Sequence, residues 1–214
     1  MQRRGNYIYL LISLLVLIIM AAIIAERLDQ AGIFTIELAF TVTLFIGIWS
    51  LLGNRTWFLF GLLLVVAGLA NTVAMVFLQI PALRFVGIGI MFMFFLLTTI
   101  IAIHDVMSSE SANINEIVGV MCSYLLLGFI WTMIYLFLNA VSPGSFNGMS
   151  TVSEGATLAD LVCYSFVTLT SLGYGDITPV TPIARALSYL EAIIGQFYIA
   201  VLVATLVGIH VSRR

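Results

Sequence analysis

Charge is what this chain has least of. Asp, Glu, Lys and Arg make up 8% of its 214 residues, against 62% hydrophobic residues, and the mean hydropathy is +1.18. A water-soluble domain of that composition would expose large apolar patches, so the chain reads as an integral membrane protein. The net charge is −2, and neither a basic patch nor interleaved aromatics and arginines occur, which argues against nucleic acid as a partner. Cysteine is sparser still. Cys122 and Cys163 lie inside apolar segments without CxxC spacing, so they indicate neither a zinc site nor a disulfide framework and read as small buried hydrophobes. No nucleophile and base occur together, so an enzyme is not expected and no cofactor is implied. The two histidines, His104 and His210, stand near helix ends, either as solvated interfacial side chains or as pH sensors.

What is abundant is apolar sequence, in six long runs and one short one. Tyr7 to Ala25 follows Arg3 and Arg4 without a small-residue cleavage site, which predicts a retained helix with its basic flank in the cytoplasm. Ile33 to Leu52, Thr56 to Leu78 and Ala82 to Ile103 follow, each close to the ~20 residues that a spanning helix needs. Trp49 and Trp57 suit a membrane interface, as does Glu37 one turn into the second run. Residues 1–105 are therefore expected to form a four-helix transmembrane domain. A polar linker over 106–116 separates them from a second module, 117–214.

That module opens with a fifth span, Ile117 to Leu138, and an exposed loop from Asn139 to Ala156 rich in Ser, Gly, Asn and Pro. Thr157 to Thr170 is too short to cross. Thr157 and Asp160 have capping-box spacing, which predicts a half-helix that dips in from outside and turns the negative end of its dipole toward the membrane centre. Pro182 suits a first helical position, and the sixth span covers 182–211. The expected fold is all-α and transmembrane, with both termini in the cytoplasm and the half-helix between spans five and six. Arg3, Arg4, Arg55, Arg213 and Arg214 fall inside, against Arg27, Arg84 and Arg185 near outer ends.

Between the half-helix and the last span lies Ser171-Leu172-Gly173-Tyr174-Gly175-Asp176. Alone, a GYG triplet is a turn; behind a re-entrant helix it has another use. A dehydrated cation needs oxygens in place of its water, and consecutive carbonyls turned toward one axis supply them. Gly173 and Gly175 lack a Cβ and accept left-handed torsions, so alternate peptides can rotate until their carbonyls face one side. Tyr174 would then brace the strand from outside, Ser171 would add a hydroxyl oxygen at the inner end, and Asp176 would place a fixed charge at the outer mouth.

These residues resemble the selectivity filter of the potassium channel family, which more often writes the stretch Thr-Val-Gly-Tyr-Gly-Asp. The resemblance covers about Ile117 to Val211 and is that of a prokaryotic-type six-transmembrane channel. It implies K+ as the permeant ion at Ser171, Leu172, Gly173, Tyr174 and Gly175. One filter per chain also implies four chains around one axis in the plasma membrane. Gly195 lies 20 positions after Gly175, where the family places its gating hinge; helix packing is the competing role. Val201 and Thr205 are candidates for lining the lower pore. Glu191, deep in the last span, needs a partner there and is expected to support the filter from behind, together with Tyr164. Relatives put tryptophans in the half-helix where this chain has Cys163 and Tyr164.

Two departures bear on gating. The fourth span carries only Arg84, not the arginine ladder that voltage gating uses, and gating by a cytoplasmic regulatory domain is not expected. The expected function is passive K+ permeation without steep voltage dependence. The alternatives are a poorly selective monovalent cation channel, suggested by Ser171 and Leu172, and a non-conducting sensor or accessory subunit.

Overall fold

The computed structural model describes residues 7–27, 55–78, 80–107, 114–150 and 154–212. The expected second span, 33–52, with Glu37 and Trp49, lies outside them. The described chain is almost wholly helical: α1 (Tyr7–Arg27), α2 (Arg55–Leu78), α3 (Ala82–Met107), α4 (Ile114–Val141), α5 (Glu154–Leu169) and α6 (Pro182–Ser212). Two short strands, β1 (Phe146–Asn147) and β2 (Thr178–Pro179), pair antiparallel. Within α2, α3 and α4, three stretches are long and apolar enough to cross a membrane: Trp57–Met75, Ala82–Asp105 and Asn115–Val141.

α4 is the central element, packing against α1, α3, α5 and α6. Leu10, Leu14 and Leu17 of α1 form a buried stripe at helical spacing, while Ile8, Ile12, Val16 and Ile19 face outward. A helix apolar all round with half its surface uncovered suits lipid on the open side. Hydrophobic burial adds little between helices in lipid, so association rests on close packing and on satisfied polar groups. Both are present. Phe95 stacks on Phe129 with centroids 5.1 Å apart, and Phe129 meets Phe166 edge-on at 5.5 Å, a ladder running from α3 through α4 to α5. Gly128 lets the Phe166 ring come so close that a Cβ there would sit 2.7 Å from it.

The expected linker over 106–116 is shorter, because α3 runs on to Met107 and α4 begins at Ile114. Polar residues at these ends have partners that keep them helical. The Tyr7 hydroxyl donates to Asp105 Oδ2 at 2.9 Å, and Asn115 Oδ1 accepts from the Tyr7 amide at 3.1 Å, satisfying one of the orphan N–H groups that begin α1. Glu116 in the first turn of α4 suits the positive end of that helix. The start of α1, the end of α3 and the start of α4 thus meet at one end of the molecule.

At the other end, α4 passes into a loop that returns to the start of α6. Phe146 pairs with Pro179, Asn147 pairs with Thr178, and the Val180 amide donates to the Ser145 carbonyl at 2.8 Å. α6 begins at Pro182 as expected, with Thr181 capping it: the Thr181 hydroxyl accepts from the Ala184 amide at 3.3 Å. α5, 16 residues or about 24 Å long at 1.5 Å per residue, falls short of a bilayer's ~30 Å core.

Candidate functional site

α5 starts at Glu154, three residues before the capping pattern predicts. The reason lies with Asp160, whose carboxylate accepts from the backbone amide of Ser150 at 2.6 Å and so ties the incoming loop to the helix. The other end of α5 sets up the run 171–176. The Leu172 amide donates to the Val167 carbonyl at 2.9 Å and the Ser171 amide to the Thr168 carbonyl at 2.9 Å. This is the Schellman pairing, with Ser171 in the left-handed position that glycine usually fills; its φ is 56°.

Left-handed torsions then recur at every second residue. Gly173 has φ 61° and Gly175 φ 79°, whereas Leu172, Tyr174 and Asp176 do not have positive φ. Alternating left- and right-handed residues turn successive peptides the same way, the geometry that lines up backbone dipoles along one side. A Cβ at Gly173 or Gly175 would meet nothing within 4 Å, so it is torsion and not space that calls for glycine there. Ser171 joins this alternation, and sequence reasoning missed it because a serine carries no signal for φ > 0.

The run is held at both ends. Below, the Leu169 carbonyl accepts from the Tyr124 hydroxyl of α4 at 3.1 Å and presses on Gly195 of α6, where a Cβ would collide with it. Gly195 is 13 residues into α6, about 20 Å from its start, so α5 ends near the middle of α6. From that level the chain climbs back to β2 beside the upper half of α6. At the inner end Gln196 Nε2 donates to Ser171 Oγ at 2.9 Å. Above, Gly148 at φ 88° lies against the Asp176 carbonyl, where a Cβ would collide with it, so the outer loop clamps the outer end of the run. Neither Gln196 nor Gly148 was legible as a site residue, because each acts through a partner more than 20 positions away.

Glu191 of α6 is fully buried and accepts from the Tyr135 hydroxyl at 2.5 Å and the Ser165 hydroxyl at 2.6 Å. Ser165 also reaches the Gly128 carbonyl at 2.8 Å, and the hydroxyls of Tyr164 and Ser188 are hydrogen-bonded. Tyr164 belongs to a mutual edge-on cluster with Tyr135 and Phe146, centroids 5.1–5.4 Å apart, and Trp131 packs on Tyr135 at 6.0 Å. The rings of Trp131 and Tyr135 on α4 and Tyr164 on α5 form one cluster with Phe146 of β1. Thus α4, α5 and α6 are locked together around Glu191.

Thr170 to Asp176 are all exposed in the single chain, including Leu172 at 58% and Tyr174 at 68%. On α6, Ile183, Leu190, Ile194, Phe197 and Val201 form an exposed apolar stripe at helical spacing. The side chains of Thr205 and His210 lie outside the described residues, and His104 is exposed. Among the described residues no group of three or more His, Cys, Asp or Glu is placed to hold a metal ion.

Residues 119–211 match the family model described as an ion channel. Over 86 residues the chain is 34% identical to a protein of Oryza sativa subsp. japonica named Two pore potassium channel c; that stretch is 39% of this chain and 19% of the rice protein. The chain therefore spans about one fifth of that relative's length. No solved structure matches it. The family-model match falls on the module that carries the run 171–176. With the apolar helices the two matches support an ion channel set in a membrane, and they point away from an enzyme.

Proposed function

We propose that four copies of this chain surround one axis and form a K+-selective pore lined by Ser171 to Gly175. The observation that carries the reading is the alternation of φ at Ser171, Gly173 and Gly175 in a run fixed at both ends yet open on one face. Carbonyls aligned by that alternation replace the water of a dehydrated K+, and an ion moves on as the next enters. One filter per chain supplies a quarter of such a ring, and the exposed Leu172, Tyr174 and α6 stripe are the surfaces that neighbouring copies would cover. Asp176, exposed at the clamped outer end, would hold cations at the mouth. With Arg84 as the single arginine of α3, the pore is not steeply voltage-gated. The polar end where α1, α3 and α4 meet is then cytoplasmic, in a plasma membrane.

Gly173→Ala tests the reading through torsion alone, since the added methyl meets no neighbour. A side chain at φ 61° costs about 1–2 kcal/mol per subunit and twists the peptide out of line. The K+/Na+ permeability ratio from bi-ionic reversal potentials should fall at least about tenfold while the protein still inserts. An unchanged ratio overturns the proposal. A second reading, a poorly selective monovalent cation pore, rests on the Ser171 hydroxyl being engaged by Gln196; a wild-type ratio near one would favour it.

A further inference from the structure

Gln196 is a polar side chain set among Ile193, Ile194 and Phe197 on the open face of α6. A polar group at that depth is costly unless it meets water or a partner. Its partner is the Ser171 hydroxyl at 2.9 Å, at the inner end of the run proposed as the filter. Ser171 cannot move to suit it, because its backbone is fixed as the left-handed residue of the turn that ends α5, with its amide bonded to the Thr168 carbonyl. A serine hydroxyl has two lone pairs and one proton, and turns freely about its Cβ when nothing holds it. The Gln196 N–H occupies one lone pair and stops that rotation.

We infer that Gln196 is a positioning residue for the innermost cation site: its carboxamide fixes the Ser171 hydroxyl so that the remaining lone pair serves a monovalent cation. The inference rests on the pore reading above. It assigns Gln196 a part in how tightly K+ is held where ions enter from the α6 side, and none in the carbonyl sites of Gly173 and Tyr174. In a ring of four chains the arrangement recurs four times around one ion.

The test is a double-mutant cycle on the reconstituted full-length channel, read as the half-saturating K+ concentration on the side where α6 ends. Gln196→Leu should raise that concentration about fivefold, the worth of one hydrogen bond, and Ser171→Ala by a similar factor. Combined, the two should do no more than Ser171→Ala alone, because Gln196 acts through that hydroxyl. Factors that multiply in the double variant, or no change in Gln196→Leu, would overturn the inference. A role limited to holding the helix in place would lower thermal stability equally in both Ser171 backgrounds and leave no coupling in K+ affinity. If Gln196→Leu does not assemble, Gln196→Met, which keeps the length and removes the donor, carries the same expectations. A wild-type channel without K+ preference overturns the pore reading and this inference with it; a selective wild type with uncoupled variants overturns the inference alone.

Discussion

Gly195 has a packing reason for being glycine, independent of any gating role. The Leu169 carbonyl ending α5 lies where its Cβ would be, with Leu169 Cδ1 at 3.1 Å from the same point. Because the obstacle is backbone that ends the half-helix, an added methyl must push α6 away from the inner end of the run. Gly195→Ala should therefore destabilise the protein by about 1–3 kcal/mol, the range for overpacking a tight contact. Thermal unfolding in detergent checks it. A hinge without the packing role would alter open probability and leave the melting temperature unchanged. The 20-residue spacing to Gly175 drew attention to this glycine, but the sequence held no sign of the carbonyl that fills its place. Ser171 is the opposite case: its hydroxyl was singled out as an oxygen, whereas its left-handed backbone comes from the turn that ends α5 and has no signature in residue type.

The elements around the run are joined through one buried acid. Glu191 on α6 meets Tyr135 on α4 and Ser165 on α5, so three helices share one carboxyl group. Glu191→Ala would take the carboxylate from the Tyr135 hydroxyl and leave an empty space beside it, at about 1–3 kcal/mol, while Ser165 keeps the Gly128 carbonyl. Glu191→Gln keeps the shape and one acceptor oxygen. The expected outcome is a clear drop in thermal stability and in the yield of assembled protein for Glu191→Ala, and a much smaller one for Glu191→Gln. Equal effects would mean that the acid's hydrogen bonds do not hold the helices together. That Glu191 needed a partner was readable from its depth in an apolar span; which partner was not, since Tyr135 lies 56 residues away. The start of α5 shows the same limit. Local spacing offered Asp160 as a cap for Thr157, but the Ser150 amide, brought near by the outer loop, takes that carboxylate and the helix begins at Glu154. Helix existence follows from apolar run length, which is local; helix ends are decided by contacts that are not.

At the scale of the molecule, everything fixed inside one chain leaves the run's face uncovered. The half-helix end and the outer loop at Gly148 hold residues 171–176 at their two ends, and Thr170 to Asp176 remain exposed. A single filter copy per chain makes the number of chains a direct test of the proposed pore, because one misaligned subunit is enough to break a ring of carbonyls. Wild-type chains co-expressed with an equal amount of Gly173→Ala chains should assemble at random. If four copies form the pore, roughly one sixteenth of the channels then contain only wild-type subunits, and that fraction of single-channel records should keep K+ selectivity. A pore built from two chains would leave roughly one quarter selective. A selective fraction of roughly one half would mean that each chain conducts by itself, and the tetrameric reading would fall.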